Sequence, residues 1–506
     1  MRRSRGLVAI VLLACCRGDG APARAAALAS VYREVRLNPQ GGLPEEWVSC
    51  AAPCAGGIGP RMTMLGTGAE DGRLRWEVPG DVAATRALER LAYVVQTGGD
   101  GSVVTLTSRD VFQSVRLVHR YVLSAGGDTL DATLQIPPGA RLVLESGAAF
   151  VPQPLPGLAS IYDGVDAVRV AATGQAQLTG GPRGAGGVVI ARGEWVGVRN
   201  RFWALLLRPA NDLTVEVRTT MPDRPRLDVQ PAPATATLLH FVLYAGPVEQ
   251  HRLIAVDPVL AGLLLPGLWD WLRLLGFGMG HLLEGWHDLV GNYGVAILLL
   301  SLSVKLLMWP LTSVAERWQR EVNRIQSELE PELTLVRRDF RGEEAHRRTL
   351  AVYHRHGVSP LFPVRGVFGV LIQIPVFIAA FDMLGGEFGL NGASFLWITD
   401  LALPDRWAAL PVTVPFAGGY LNLLPFLMTG FTVLSARVHA EPSLSAALRA
   451  GQRRRLYAMA GAFFFLLYAF PAGMVLYWTS NNLWHLLKVL SWPRARMTVR
   501  SCDAKF

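Results

Sequence analysis

Gly294-Val-Ala-Ile-Leu-Leu-Leu-Ser-Leu-Ser-Val-Lys-Leu-Leu-Met-Trp-Pro-Leu311 is long and apolar enough to cross a bilayer, and it carries Lys305 inside it. An ammonium there costs roughly 2.5–3.5 kcal/mol on insertion scales, so an intramembrane lysine is a functional hypothesis by default. The alternative is snorkelling. At ~1.5 Å per residue Lys305 lies about 16 Å from Gly294 and about 9 Å from Leu311, and its stem reaches an interface. Position alone leaves the two readings even, and the rest of the chain has to separate them.

The chain has 506 residues, half of them apolar, and a net charge of +9. Its only lysines are Lys305, Lys488 and Lys505, which excludes a P-loop with its Gly-Lys pair. HExxH, GxSxG and paired CxxC motifs are absent as well, so no enzyme chemistry, metal or cofactor is expected. Arginines cluster beside hydrophobic segments, which points to membrane topology and not to DNA.

The start, Met1-RRSRGLVAIVLLACCRG, is a basic then apolar export signal, well short of the ~20 residues of a spanning helix. Leu12-Leu13-Ala14-Cys15 fits a lipoprotein signal with Cys15 lipidated; cleavage after Ala23-Arg24-Ala25 is the other reading. Either way residues 1–25 are a signal segment and the domain after them is exported. Cys50 and Cys54 then meet an oxidising compartment, where a disulfide or two free thiols are both open.

Residues 26–250 are strand-like. Val103-VTLTS, Val115-RLVHRYVLS, Ala132-TLQI, Val188-VIARG, Leu213-TVEVRTT and Ala236-TLLHFVLYA are separated by Gly, Pro and Asp turns, without intervening helical patterns. A mostly antiparallel sandwich is expected. The stretches at Glu46-Trp47 and Asp81 to Arg90 are left as loops or short helices. Residues 251–292 read as a linker and an amphipathic helix in the membrane interface, with Leu268, Trp271, Leu272 and Leu275 at helical spacing. A buried core helix is the plainer alternative.

Residues 293–491 hold five expected spans: Gly294–Leu311, Val367–Leu384, Leu421–Ala436, Leu456–Phe470 and Gly473–Leu490. The first and third connecting loops are rich in arginine, from Arg317 to Arg365 and from Arg437 to Arg455, whereas the second has only Arg406. Both arginine-rich loops are therefore expected in the cytoplasm and the β domain outside, as the export signal also requires. Leu456–Phe470 is only about 22 Å long as a helix, against a hydrocarbon core of ~30 Å, a mismatch met by thinning the bilayer or extending the helix. Within 312–358, Trp318, Val322, Ile325, Leu329, Leu333 and Val336 keep 3–4 spacing until Phe340-Arg-Gly342, and Glu343 to His356 resumes it. An αα-hairpin in the cytoplasm is expected, either a docking element or simply solvated. Residues 492–506 form a short basic cytoplasmic tail.

Polar residues recur along the spans. Ser301, Lys305 and Thr312 fall within about 40° on the first helix. Trp478, Asn481, Asn482, His485 and Lys488 lie along the last; Gln373 is on the second, and Asn422, Thr429, Thr432 and Ser435 on the third. Singly, each is an ordinary interhelical hydrogen-bonding residue; together with an intramembrane cation they point to a hydrated cavity.

Val304-Lys-LLMWPLT, Leu371-Ile-QIPVF, Phe395-LWITDL and Phe470-PAGMVLYWTSNNL resemble, in order, the signatures of the YidC/Oxa family of membrane protein insertases. Gly193-EWVGVRNRFWALLLRP and Leu243-YAGPVEQHRL resemble the close of the large periplasmic domain of Gram-negative members. The resemblance implies a multidomain α+β membrane protein: a periplasmic β-supersandwich, then a five-helix transmembrane core around a hydrophilic groove, with a cytoplasmic αα-hairpin. Lys305 falls at the family's intramembrane basic position, and Gln373, Tyr477 and Trp478 fall at groove-lining positions. Ser301, Thr432, Asn481 and Asn482 complete the expected groove.

The implied partners are nascent membrane proteins and lipids, with the Sec translocon and the ribosome through the cytoplasmic loops. The implied place is the bacterial inner membrane, with the C-terminus cytoplasmic. The chain departs from the family pattern in its short signal in place of a first spanning helix, in Ser359-PLFPVRG, in Asp382 and in its short tail. An anion transporter and a membrane-anchored carbohydrate-binding module are the rival readings, without an internal repeat or a carboxylate pair to support them.

Overall fold

The computed structural model describes the chain except residues 1–25, 58, 100, 125, 180–187, 222–223, 234–235, 360, 363, 439–443, 445 and 492–506. Cys15 and the tail lie outside the described residues. The chain divides into two compact units. The first takes the chain up to Leu155, Ala159–Leu268 and Gly386–Gly392; the second takes Pro156–Leu158, Trp269–Gly385 and the chain from Ala393 onward.

The first unit is antiparallel β throughout its described ladders, as the alternating runs require. A nine-stranded sheet runs in the order Ala176–Thr179, Asp166–Val170, Trp195–Arg199, Trp203–Pro209, Leu238–Pro247, Thr129–Gln135, Val118–Leu123, Val103–Ser108 and Tyr93–Thr97. Strict alternation along Thr129–Gln135 turns Leu130, Ala132 and Leu134 to one face, where they are fully buried. That face packs on residues of two smaller sheets: Leu28, Val35 and Trp47 from a four-stranded meander, and Trp76, Leu142 and Leu227 from a five-stranded sheet. The sandwich expected from the sequence is present.

On the other face Val168, Trp195, Leu206 and Tyr244 meet Leu253, Leu260 and Leu263. Residues 251–263, read from the sequence as linker, thus cover the sheet, in helix α2 (Gln250–Val256) and a 3-10 turn (Pro258–Leu263). Glu46-Trp47 lies in a strand (Pro44–Cys50), and the second unsettled stretch is helix α1 (Val82–Arg90), capped by the Asp81 carboxylate accepting from the Ala84 amide at 2.8 Å. Cys50 and Cys54 form a disulfide. Arg33, wholly buried, is held by Asp128 at 3.2 Å and donates to the Tyr32 carbonyl at 2.8 Å.

Helix α2 spans Gln250–Val256 and the second unit begins its helices with α3 (Asp270–Val290), which Gly291 ends in a left-handed turn, φ 69°. Helices α4 (Tyr293–Asp339), α5 (Gly342–Arg355), α6 (Val364–Gly386), α7 (Leu424–Val438), α8 (Ala446–Leu467) and α9 (Ala472–Ser491) follow. The first expected span and the first hairpin helix are one 47-residue helix running through Pro310 and Pro331. Helix formers flank Pro310 on both sides, and the Thr312 hydroxyl ties that turn by donating to the Met308 and Trp309 carbonyls at 3.0 and 3.1 Å.

A helix covers most of each expected span, with 421–423 and 468–470 left outside α7 and α8, but among the described residues only α4 is long and apolar enough to cross a bilayer. Leu371–Gly386 and Leu424–Val438 are shorter apolar helices. The arginines of α8 and the polar residues of α9 keep those two from qualifying. The hairpin turns where Phe340-Arg-Gly342 breaks the helical pattern. Leu329 and Leu333 of α4 bury Val352 of α5, with Ile325, Val336 and Tyr353 around them. Glu332 pairs with Arg355 at 3.5 Å and with His356 at 2.9 Å.

Candidate functional site

Helix α9 organises the site because its side chains fall into two lines. Tyr477, Asn481, Trp484 and Lys488 follow one line at i, i+4, i+7 and i+11; Trp478, Asn482 and His485 follow another. The first line faces α4. The Lys305 ammonium donates to the Asn481 backbone carbonyl at 2.8 Å, so its partner is a neutral dipole and not a carboxylate. One turn earlier, the Ser301 hydroxyl accepts from Ser480 Oγ at 2.6 Å and from Trp484 Nε1 at 3.0 Å. Ser301, Ser480 and Tyr477 are buried, while Lys305 and Asn481 are only partly so. The charge therefore sits at the edge of a packed polar seam.

Three turns past Lys305 on the same face of α4, Glu316 pairs with Lys488 of α9 at 2.7 Å. Two of the chain's three lysines thus tie α4 and α9 to each other, one from each helix. The ends of these ties differ in kind: Lys305 meets a carbonyl in half-buried surroundings, whereas the Lys488–Glu316 pair is solvent-facing and worth little as a single pair.

The second line of α9 faces α6, α7 and α8. Asn482 Nδ2 donates to Thr432 Oγ1 at 2.9 Å and to the Met428 carbonyl at 3.3 Å. Thr432, Ser435, Asn482 and His485, with Ala436 and Leu456, line a cleft of about 120 Å³. Trp478 is enclosed by aromatic rings: Phe463 stacks on it with ring centres 4.9 Å apart, and Phe377 meets it edge-on at 4.8 Å.

The expected groove residues therefore form two groups: Ser301, Lys305, Tyr477 and Asn481 at α4–α9, and Thr432 with Asn482 at α7–α9. Trp478 lies in the aromatic cage. Gln373 is exposed on α6 and joins neither group. Thr312, expected on the same stripe as Lys305, bonds its own helix.

The ends of the helices are fixed as well. Asn292 caps α4, accepting from the Val295 amide at 3.1 Å, and donates to the Ser394 carbonyl at 3.2 Å. Gly294 lies so close to Phe395 that an added Cβ would be 2.0 Å from its ring. Asp405 is buried and accepts from the Leu423 and Leu424 amides, each at 2.7 Å, at the start of α7, and from Trp397 Nε1 at 3.3 Å. Burial pushes the Asp405 carboxyl above the ordinary range, with the Leu424 amide and Trp397 pulling the other way. Asn422 donates to the Tyr468 carbonyl at 2.7 Å.

Asp405 and Glu316 escaped the sequence reading because a carboxylate in a loop and one on an exposed helix carry no local signal. Trp484 was legible as the i+3 neighbour of Asn481, and Ser480 as its adjacent residue.

Residues 285–498, which contain all of these groups, match the family model described as 60Kd inner membrane protein. The membrane protein insertase YidC of Ralstonia nicotianae is 32% identical over 254 residues, half of this chain. Over these residues the chain is similar to the YidC insertases. The YidC of Cupriavidus taiwanensis is 27% identical over 327 residues, 62% of this chain. The aligned regions cover 53% and 41% of these two relatives, so the chain spans about half the length of the YidC proteins it matches. A crystal structure of an active YidC insertase aligns over 92% of each chain at 15% identity, with a TM-score of 0.36.

Proposed function

We propose that the chain is a membrane protein insertase, and the observation that carries this is Lys305. A cation on α4, the longest apolar helix among the described residues, is directed at a backbone carbonyl and flanked by a hydroxyl and amide seam. A polar flank of a nascent client enters that seam, and an acidic one is drawn by the ammonium, since charge attraction in a low-dielectric surround exceeds that in water. The apolar segment of the client slides along α4 and α6 into lipid. Its burial supplies the driving force, with no nucleotide.

In this reading α6, α7, α8 and α9 cross the membrane with α4, giving five helices, and the short apolar helices thin the bilayer around them. The extension of α8 to Ala446 supports the second route to relieving mismatch, a helix that continues into the arginine-rich loop. The α4–α5 hairpin, the α8 arginines and the C-terminus lie in the cytoplasm, where the hairpin presents cationic side chains to ribosomal RNA. The β unit lies in the periplasm, and α3, with Trp269, Trp271 and Leu274 exposed, lies along the interface. Insertion then proceeds alone or beside the Sec translocon.

The test is a photoreactive side chain introduced at Gln373 or Trp478, with a ribosome-bound membrane client. The reading expects crosslinks to the client's apolar segment from both places. Crosslinks from neither, with the protein folded and membrane-bound, would remove these residues from the client path.

A further inference from the structure

Between α6 and α7, Ala408–Val414 and Gly418–Leu421 pair as a two-stranded antiparallel ribbon. From Trp407 to Ala436 the sequence has no charged residue, so the ribbon and α7 up to its last turn, where Arg437 stands, form one uncharged stretch. The ribbon is nevertheless open to its surroundings: Phe416 is 83% exposed, Val412 65% and Trp407 54%, with Val414 and Tyr420 exposed beside them. The Pro156–Gly157 segment abuts its turn, where a Cβ on Gly157 would lie 2.9 Å from the Phe416 carbonyl oxygen, but a two-stranded ribbon is marginal in water and the apolar side chains it leaves exposed invite association.

Its base is not loose. Asp405 and Asn422 hold the chain on either side of it to the start of α7 and the end of α8. The ribbon therefore projects from the helix end at a set level.

We propose that this ribbon docks into the interfacial layer of the lipid bilayer, on the side where α7 begins, with Trp407, Val412, Val414, Phe416 and Tyr420 at the headgroup–acyl boundary. The proposal rests on α7 crossing the bilayer. Trp and Tyr favour that boundary because each joins an apolar ring to a polar group. Depth is limited from both sides. Backbone groups on the ribbon's outward edges must keep hydrogen-bond partners, which the hydrocarbon cannot supply; Pro411 and Pro415 remove two of the donors. Arg406, whose guanidinium lies 5.1 Å from the Tyr420 ring, marks the polar end.

The test uses the unaltered full chain in liposomes that contain phospholipids with a diazirine either near the glycerol or at the acyl terminus. Adducts are mapped by peptide mass spectrometry. The expected result is labelling of 407–421 by the glycerol-proximal diazirine, and of α7 by the terminal one. In the Val412→Ser/Phe416→Ser variant the ribbon's labelling falls about fivefold or more while that of α7 is unchanged. Labelled α7 with an unlabelled ribbon overturns the docking and leaves α7 as a span. An unlabelled ribbon and an unlabelled α7 overturn both. Labelling that survives the double substitution overturns the role given to these side chains.

Discussion

Replacing Lys305 by Met separates the fold from the function, because methionine keeps the length and apolar stem and removes only the ammonium. In the folded chain the ammonium makes one charge-assisted bond, to the Asn481 carbonyl at 2.8 Å, worth about 1.5–3 kcal/mol. Against this stands the desolvation of a half-buried cation, which is of similar size and opposite sign. The net change in stability is therefore within about 1 kcal/mol.

The effect on a client is larger. A client carboxylate about 6 Å from the ammonium, at an effective dielectric near 20, gains about 2.8 kcal/mol. At 1.4 kcal/mol per decade this is roughly a hundredfold in association. The assay is cell-free synthesis of a single-span client in the presence of proteoliposomes, scored by protease protection, with acidic and uncharged flanks compared.

Lys305→Met is expected to lower insertion of the acidic-flank client about a hundredfold at limiting client concentration, and that of the uncharged one about threefold or less. Lys305→Arg retains insertion and Lys305→Glu abolishes it for acidic flanks. Wild-type insertion of the acidic client by Lys305→Met, at an unchanged unfolding temperature, would refute the attraction. Equal loss for both clients with a lowered unfolding temperature would make Lys305 a structural residue.

Three other outcomes are expected from the packing. Gly294→Ala forces a methyl into the Phe395 ring and is expected to cost about 1–3 kcal/mol, read as a lower thermal midpoint in detergent and partly restored by Phe395→Leu. Asp405→Ala strands the Leu423 and Leu424 amides and the Trp397 indole N–H; about 2–4 kcal/mol is expected to be lost, and less in Asp405→Asn, which keeps an acceptor. His119 in the β unit is held down to about 4 by burial, against the pull of the Gly42 and Gln135 carbonyls. Its folded value is below the unfolded one, so the stability it contributes is present above pH 6.5 and is lost as pH falls toward 4. A change on the order of 3 kcal/mol is expected across that window, measured by thermal unfolding at each pH and flattened in His119→Gln.

How much was legible depends on whether a residue's signal is local. Alternation along Thr129–Gln135 and the 3–4 spacing from Ile325 to Val336 report directly on which side is buried, so the sandwich and the hairpin could be read. The turn at Phe340-Arg-Gly342 was equally local. The continuity of α4 through Pro310 was not, because proline removes one donor and whether the helix survives depends on its neighbours. The α9 stripe was read as a single face, although residues 477, 481, 484 and 488 diverge by about 100° from 478, 482 and 485. Only the packing of α4 on one side and α7 on the other shows that these are two surfaces. Asp405 is a long-range cap, separated from Leu424 by a whole ribbon, and no pattern in sequence marks such a pair.

The central claim is that this chain moves polar client flanks into the membrane through the seam that Lys305 borders. The most direct measurement is insertion of a newly synthesised single-span client into liposomes reconstituted with the purified full-length chain, beside protein-free liposomes. The account predicts a protease-protected client in the first and none in the second, without added nucleotide once synthesis has ended. Absence of protection, together with saturable uptake of a small anion by the same vesicles, would contradict it.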